Sequence, residues 1–345
     1  MTPEAVARHR SRMILAFATI YLIWGSTYLA IIFAIRSIPP FLMAGARFLV
    51  AGAGLYLYAR LKGGTRPTWA QWGWAALLGA LFFLIGNGLV VYVEQFMASG
   101  LTALLIAMVS VWTALLEWIR PGGTRPTSLV LVGILLGFLG VALLVMPGQF
   151  GGEHINPLGA GLIIFSSFGW ALASVLSRTA DLPRNIAQAS GMEMLAGGAW
   201  LLLASLLTGD WRHFSPATLT TESLLAFLYL LVFGSLVAFT CFAWLLTVTT
   251  ASKVATAGYV NPMVAVLLGW AILGESLSTR TILASLVIVA SVVLIIRGKA
   301  AAAAVGTVTA TDPPPAPPGD AGESPARHAG PGSAACVDVG QGSRL

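Results

Sequence analysis

Three ionisable residues lie in or at the end of long apolar runs: Arg47 in AGARFLVAGAG, Glu193 in GMEMLAGGAW and Glu94 in VVYVEQF. A charge held in hydrocarbon costs at least about 2.5–3.5 kcal/mol on insertion scales, so such a group faces the inside of a helix bundle and seeks a partner. Arg47 can hold an anionic group of a substrate, pair with Glu193 across a cavity in one conformational state, or form a permanent ion pair that sets register. Glu94 is a further candidate partner for it. Small residues around Glu193 let helices approach closely. A carboxylate taken out of water binds a proton more readily, which suits proton and substrate competing for one site. Glu94, at the end of its run, serves as a second proton-coupling candidate or as a simple loop charge. Glu117, beside Trp118 and Arg120, reads as an interfacial snorkelling pair, and Glu275 as the end of a helix.

A backbone feature joins these side chains. Ala255 to Glu275 reads ATAGYVNPMVAVLLGWAILGE and carries Asn261-Pro262 near its middle. Proline removes a donor and clashes with the carbonyl four residues earlier. In lipid the freed carbonyl survives only against protein or a water-filled cavity. The stretch is therefore either a wall of a translocation path or a kink that shapes packing. Other residues that suit such a path are Trp24, Ser26 and Tyr28 in a first apolar run, Asn87 in a third, and Ser110 and Trp112 in a fourth. Trp170 in a sixth and Tyr259, beside Asn261 and Pro262, in a ninth complete the set. Trp24 and Trp170 lie inside their runs, away from the interfacial positions where Trp gathers. Trp69, Trp72, Trp74 and Trp118 read as interfacial or packing residues.

The elements that must position these groups follow from composition. The chain is 57% hydrophobic and 9% charged, with mean hydropathy +0.85. Soluble domains carry about 25% charged residues, so this is an all-α integral membrane protein. Spanning takes about 20 mostly apolar residues, which gives ten spans. They lie near 13–35, 41–61, 70–93, 99–119, 127–147, 157–177, 187–208, 223–247, 252–274 and 279–296. Turn signals separate several of them: Pro39-Pro40, Gly63-Gly64, Pro121-Gly122-Gly123, Pro147-Gly148 and Asn156-Pro157. Arg8, Arg10 and Arg12 before the first run resemble a signal peptide, but a run from Met13 to Ile35 exceeds a signal's apolar core, so a retained helix is expected. Residues 1–12 then form a cytoplasmic N-terminus. Residues 300–345, with PPPAPP and repeated Gly, Ala and Ser, read as a disordered cytoplasmic tail.

Lys and Arg in short loops orient the chain. With the N-terminus in the cytoplasm, that side holds Arg8, Arg10, Arg12, Arg60, Lys62, Arg66, Arg120, Arg125, Arg178, Arg184, Lys253, Arg297 and Lys299. The opposite side holds Arg36, Arg212 and Arg280. The bias runs through both halves and fits an even number of spans with both termini inside. The same scatter of positive charge between apolar runs gives no nucleic-acid surface.

The two halves repeat. Trp24 falls on Trp170 and Arg47 on Glu193, both at an offset of about 146. Gly86-Asn87 falls on Gly234-Ser235 at about 148. Ala103, Leu115-Leu116 and Trp118 fall on Ala255, Leu267-Leu268 and Trp270 at about 152, which places Ser110 on Pro262. Five spans per repeat, an odd number, put the second copy upside down: 13–147 and 157–297 are two inverted five-helix repeats. Inverted repeats recur in secondary transporters, with substrate near the midplane between them.

The runs IWGSTYLAI, IPPFLMAGARFLVAG, GNGLVVYVEQ with its ASG, and GYVNPMVAVLLG followed by LGESLS resemble the drug/metabolite transporter superfamily. The likeness is to its ten-helix EamA-type permeases and most nearly to the YedA-like exporters. It covers residues 13–297. It implies export or exchange of small metabolites (amino acids, related carboxylates or drugs) driven by an ion gradient or exchange. Relatives often carry Pro in the fourth helix where this chain has Ser110, which implies a softer break in the first half and a one-sided hinge. No GxxxxGK[ST] loop is present. His9, His154, His213 and His328 lie in tails or loops and form no metal-binding or Ser-His-Asp pattern. Neither Cys241 nor Cys336 has metal or disulfide spacing. No cofactor and no metal are expected. The expected partners are a small-molecule substrate and the lipid bilayer, with the chain a monomer or homodimer. An integral-membrane enzyme or lipid-handling protein is the alternative. It would need polar residues clustered at one interface, a pattern the chain lacks.

Overall fold

Apolar runs of membrane length, broken by Pro- and Gly-bearing turns, fold as helices because hydrocarbon forces every backbone group to bond within its own segment. The computed structural model describes residues 3–120, 125–145, 156–249, 254 and 257–311. These residues form ten helices: α1 (Pro3–Ile35), α2 (Pro40–Leu61), α3 (Trp69–Val93), α4 (Ser99–Ile119), α5 (Ser128–Val145), α6 (Pro157–Leu176), α7 (Ile186–Thr208), α8 (Thr221–Tyr229 continued through Leu230–Val237 and Ala238–Val248), α9 (Ala257–Leu268 continued through Gly269–Leu273) and α10 (Thr279–Thr311). Among the described residues nine helices are long and apolar enough to cross a membrane, and the stretch Val260–Leu273 of α9 is a shorter apolar one. Residues 1–305 form one compact unit and residues 306–345 another, of which only 306–311 are described.

Two helix ends differ from expectation. Helix α1 begins at Pro3, because proline suits a first helical turn whose N–H would be unpaired anyway. Helix α10 runs on through the alanines 300–304, the best helix formers. The turns at Pro121-Gly122-Gly123 and Pro147-Gly148, Lys253, His154 and the segment beyond Thr311 lie outside the described residues.

The inverted repeat is visible in which helices touch. The broadest contact joins α2 to α7, the second helix of each repeat. Helix α1 lies against α8 and α9 of the other repeat, as α6 lies against α3 and α4. At the α2–α7 contact glycines remove the side chains between two backbones. A Cβ at Gly52 would lie 2.7 Å from the Leu195 nitrogen and 2.9 Å from the Gly191 oxygen. A Cβ at Gly198 would lie 2.8 Å from the Leu49 nitrogen. Gly45 and Gly191, and Gly52 and Gly198, are repeat equivalents at the same spacing as Arg47 and Glu193.

Other ties fix the helix ends. The Asp210 carboxylate accepts from the Phe41 and Leu42 amides at 3.1 Å each, capping α2. Ser291 Oγ donates to the Gly133 carbonyl at 2.6 Å, joining α5 to α10.

The glycine contact predicts an asymmetry between neighbours on α2. Gly52→Ala pushes a methyl group onto the α7 backbone and is expected to cost about 1–3 kcal/mol. Gly54, with open space around it, gains helix propensity on Gly54→Ala. Thermal unfolding of the two variants in detergent checks this: the first melts lower than wild type and the second does not.

Candidate functional site

The backbone widens at matched places in the two repeats. Residues Ala80–Gly88 of α3 and Leu230–Val237 of α8 are π-helical. Such bulges leave carbonyls short of helical partners and gather at functional sites. Here the opposite repeat supplies donors. Trp24 Nε1 donates to the Gly234 carbonyl at 3.2 Å, and Ser166 Oγ donates to the Gly86 carbonyl at 2.7 Å. Trp170, the equivalent of Trp24, covers Gly86 and meets Phe82 edge-on at 5.0 Å. Both tryptophans thus seat a π segment. Ser26 Oγ is 2.6 Å from the Tyr229 hydroxyl just before the α8 bulge.

Arg47 and Glu193 are both buried, 5% and 6% exposed. They do not pair. The ion pairs of the described residues are Arg36–Glu222, Arg178–Glu117 and Lys299–Glu117. The α2–α7 register explains this. Gly45 meets Leu202 and Gly198, whereas Gly52 meets Gly191 and Leu195. The helices are antiparallel, so Arg47 and Glu193 sit about five residues out of step, roughly 7.5 Å along the axis at the helical rise. Arg47 Nε donates instead to Ser235 Oγ at 3.0 Å, and its guanidinium lies over the Phe48 ring at 4.2 Å. Ser235 Oγ in turn donates to the Leu230 carbonyl at 3.2 Å inside the bulge. The buried cation is therefore held by the π segment of the other repeat. Glu117 does not pair with Arg120: it ties α4 to Arg178, just past α6, and to Lys299 of α10, at 2.8 and 2.7 Å.

Helix α4 breaks without a proline. Ser99–Ile106 and Val109–Ile119 are separate segments, and around Ala107-Met108 the bonds tighten to three-residue spacing, as in Ala107 N–H to Leu104 O at 3.2 Å. The first half thus carries an interruption of its own, against the expectation of a one-sided hinge. Pro262 lies buried within α9 and leaves the Gly258 carbonyl without its helical donor. Ser110 faces that turn, since a Cβ at Gly258 would lie 3.1 Å from Ser110 Oγ. The side chain of Tyr259 lies outside the described residues.

Glu94 stands one residue past α3 and is 4% exposed, with neither carboxylate oxygen bonded to a described residue. It is within electrostatic range of Tyr28 on α1 and of Glu275. Burial, with the charge of Glu275 added, pushes its pKa well above the ordinary carboxylate range. Glu275 does more than end a helix. Gly274, at φ 67°, turns the chain so that the Glu275 carboxylate reaches the start of α4. There it accepts from Ser99 N–H at 2.7 Å, Ser99 Oγ at 2.7 Å and Gly100 N–H at 3.1 Å.

Buried polar atoms without a bonded partner among the described residues are Arg47 Nη1, Asn87 Oδ1, Trp112 Nε1, Asn261 Oδ1, Gln188 Oε1 and the two Glu94 oxygens. All but Gln188 belong to the residues singled out in the sequence. Beside Asn87, Gly88 lies against Leu201 of α7 and Phe41 of α2, while Phe83 lies beside Phe48, next to Arg47. Glu193 lies deeper, beside the Gly79 end of the π segment. Trp112 sits apart from these, edge-on to Phe138 and Phe168 at 5.8 and 5.6 Å. Sequence reasoning missed Ser235, although it falls on Asn87 in the repeat. It also missed the Tyr229 hydroxyl and the capping role of Glu275.

The model of the EamA-like transporter family matches residues 11–146 and 157–297, one match per repeat. The uncharacterized inner membrane transporter YedA of Escherichia coli (strain K12) is 39% identical over 285 residues, 82% of this chain and 90% of that protein. A Salmonella typhimurium protein named "Probable amino-acid metabolite efflux pump" is 24% identical over 298 residues, 81% of this chain and 93% of the relative. A solved crystal structure, 21% identical, aligns with a TM-score of 0.56 over 82% of this chain and 96% of its own, which supports the fold.

Trp24→Phe keeps the ring and deletes the donor. It leaves the Gly234 carbonyl of the α8 bulge unsatisfied, at an expected cost of about 1–3 kcal/mol. Hydrogen exchange across 230–237 is expected to quicken while that of α2 stays near wild type; equal exchange in wild type and Trp24→Phe would show the bond to be dispensable.

Proposed function

The chain belongs to the EamA-like transporter family, and from that premise we propose that it exports or exchanges small metabolites by alternating access, driven by proton antiport. The observation that carries this reading is the set of buried polar atoms on both repeats without a partner among the described residues: Arg47 Nη1, Asn87 Oδ1 and Asn261 Oδ1. Buried polar atoms are nearly always satisfied, so a solute or water that comes and goes accounts for them. Arg47 supplies a fixed cation with one nitrogen tied to Ser235 and another unbonded. That suits the carboxylate of an amino acid or a related acid, and amphipathic drugs would use the aromatic surfaces of Trp24, Tyr28 and Trp170.

Glu193 takes the coupling proton in this scheme. Its distance from Arg47 along the bundle keeps the two charges from cancelling, so substrate on Arg47 and proton on Glu193 can alternate. Lys and Arg bias supports an N-terminus and C-terminal tail in the cytoplasm, and in this reading the protein works in the inner membrane as monomer or homodimer. The opposite end is tied by the Asp210 and Glu275 caps and by Arg280, which donates to the Leu143 and Leu144 carbonyls. At the cytoplasmic end a groove of about 470 Å³ opens beside Lys62, Asp181, Arg184 and Gln188. Ties at one end and an open groove at the other suit a state that faces the cytoplasm.

A metabolite-efflux and drug-resistance screen, on overexpression in a host lacking similar exporters, identifies the substrate class. With that substrate, Glu193→Gln is expected to abolish uphill efflux and to retain exchange of labelled for unlabelled substrate; unchanged uphill efflux would remove Glu193 from coupling. Pro262→Ala restores a backbone donor to α9 and is expected to slow exchange between states at unaltered affinity. Wild-type turnover in that variant would make Pro262 a packing residue.

A further inference from the structure

The end of the bundle away from the groove holds a pair of acidic residues, and the two are treated very differently. Glu275 is saturated with donors and stands at the positive end of α4: two backbone N–H groups and one hydroxyl hold its two oxygens. Glu94 is 4% exposed, neither of its oxygens bonds to a described residue, and it sits within electrostatic range of Glu275. Glu94 is buried and unbonded while Glu275 is half-buried and held by donors, and environments that differ this much set the proton on Glu94. The remaining neighbours offer no countercharge among the described residues. From α1 the titratable group facing Glu94 is Tyr28. From α2 the contact near it is Phe41, stacked on Tyr92 at 5.7 Å. From α6 it is Gly159, set against Val93, Phe96 and Met97. Arg280 lines the small cavity beside Glu275, donates to the Leu143 and Leu144 carbonyls and makes no ion pair with either carboxylate among the described residues.

We propose that Glu94 and Glu275 form a binding site for a single proton, carried on Glu94, and that loss of this proton parts the turn between α3 and α4 from the turn between α9 and α10. The two turns belong to different repeats, and the Glu275 cap joins them. With Glu94 neutral the cap is undisturbed. When Glu94 gives its proton to water, two like charges stand within electrostatic range of each other, one of them buried, and separating the turns relieves them. The proton site stands independently of what the protein carries, whereas its use as a gate rests on the transporter reading.

Infrared spectra of the purified full-length chain in nanodiscs, recorded through a pH titration, test the site. Wild type is expected to show a protonated-carboxyl C=O band at neutral pH with a component that Glu94→Gln removes and Glu193→Gln leaves. Glu94→Asp restores a component of this kind. Glu275→Gln, which keeps an acceptor for the Ser99 amide but removes the charge, is expected to lower the midpoint of the component by about one pH unit or more. A Glu94→Gln spectrum identical to wild type, or a midpoint unmoved by Glu275→Gln, would overturn the site. The gate is tested separately by flux, since Glu94→Gln is held in the neutral form. Uphill efflux is expected to fall at least tenfold in it, and wild-type efflux with the infrared component lost would overturn the gate while leaving the proton site in place.

Discussion

The close approach of α2 and α7 is the constraint on which the rest of the molecule depends. Two helices from opposite repeats touch backbone to backbone through Gly45, Gly52, Gly191 and Gly198, and the register of that contact decides where the buried charges stand. Because the glycines and the charges share one repeat spacing, Arg47 and Glu193 are mirror positions about the centre of the contact. The result is a cation in one half of the bundle and a carboxylic acid in the other, each buried and neither neutralised by its counterpart. A one-turn slip would bring them closer only by breaking the fit in which Gly52 and Gly198 lie against opposing backbone.

The second constraint comes from lipid, which tolerates no idle backbone group. Both repeats loosen their third helix into a π segment, and both satisfy the loosened carbonyls from the other repeat. Trp24 serves Gly234, Ser166 serves Gly86, and Ser235 serves Leu230 within its own helix. Because Ser235 also accepts from Arg47, the buried cation and the irregular backbone share one hydrogen-bond network. A change of conformation in α8 would therefore be felt at the guanidinium directly.

Much of this was legible in the sequence because bilayer thickness fixes the length of an apolar run. The ten spans and the repeat needed only hydropathy and the matched residues Trp24 and Trp170. The helix ends were less legible: Pro3 and the alanines 300–304 extend α1 and α10 by local helix propensity, beyond the apolar limit. The break in α4 carries no proline to announce it; Ser110 suggested a smoother helix than the one formed. Pairing of Arg47 with Glu193 looked natural from equivalence in the repeat, but equivalence in an inverted repeat places residues at mirrored depths, not at one depth. The cap from Glu275 to Ser99 joins residues 176 apart in the chain, and no local pattern encodes such a contact.

Purified wild-type protein in sealed proteoliposomes, with a pH-sensitive dye inside and an efflux substrate outside, tests proton-coupled transport most directly. Added substrate is expected to move protons against its own direction, at a fixed ratio and without ATP. Substrate flux that leaves internal pH unchanged, with or without an imposed gradient, would contradict the account.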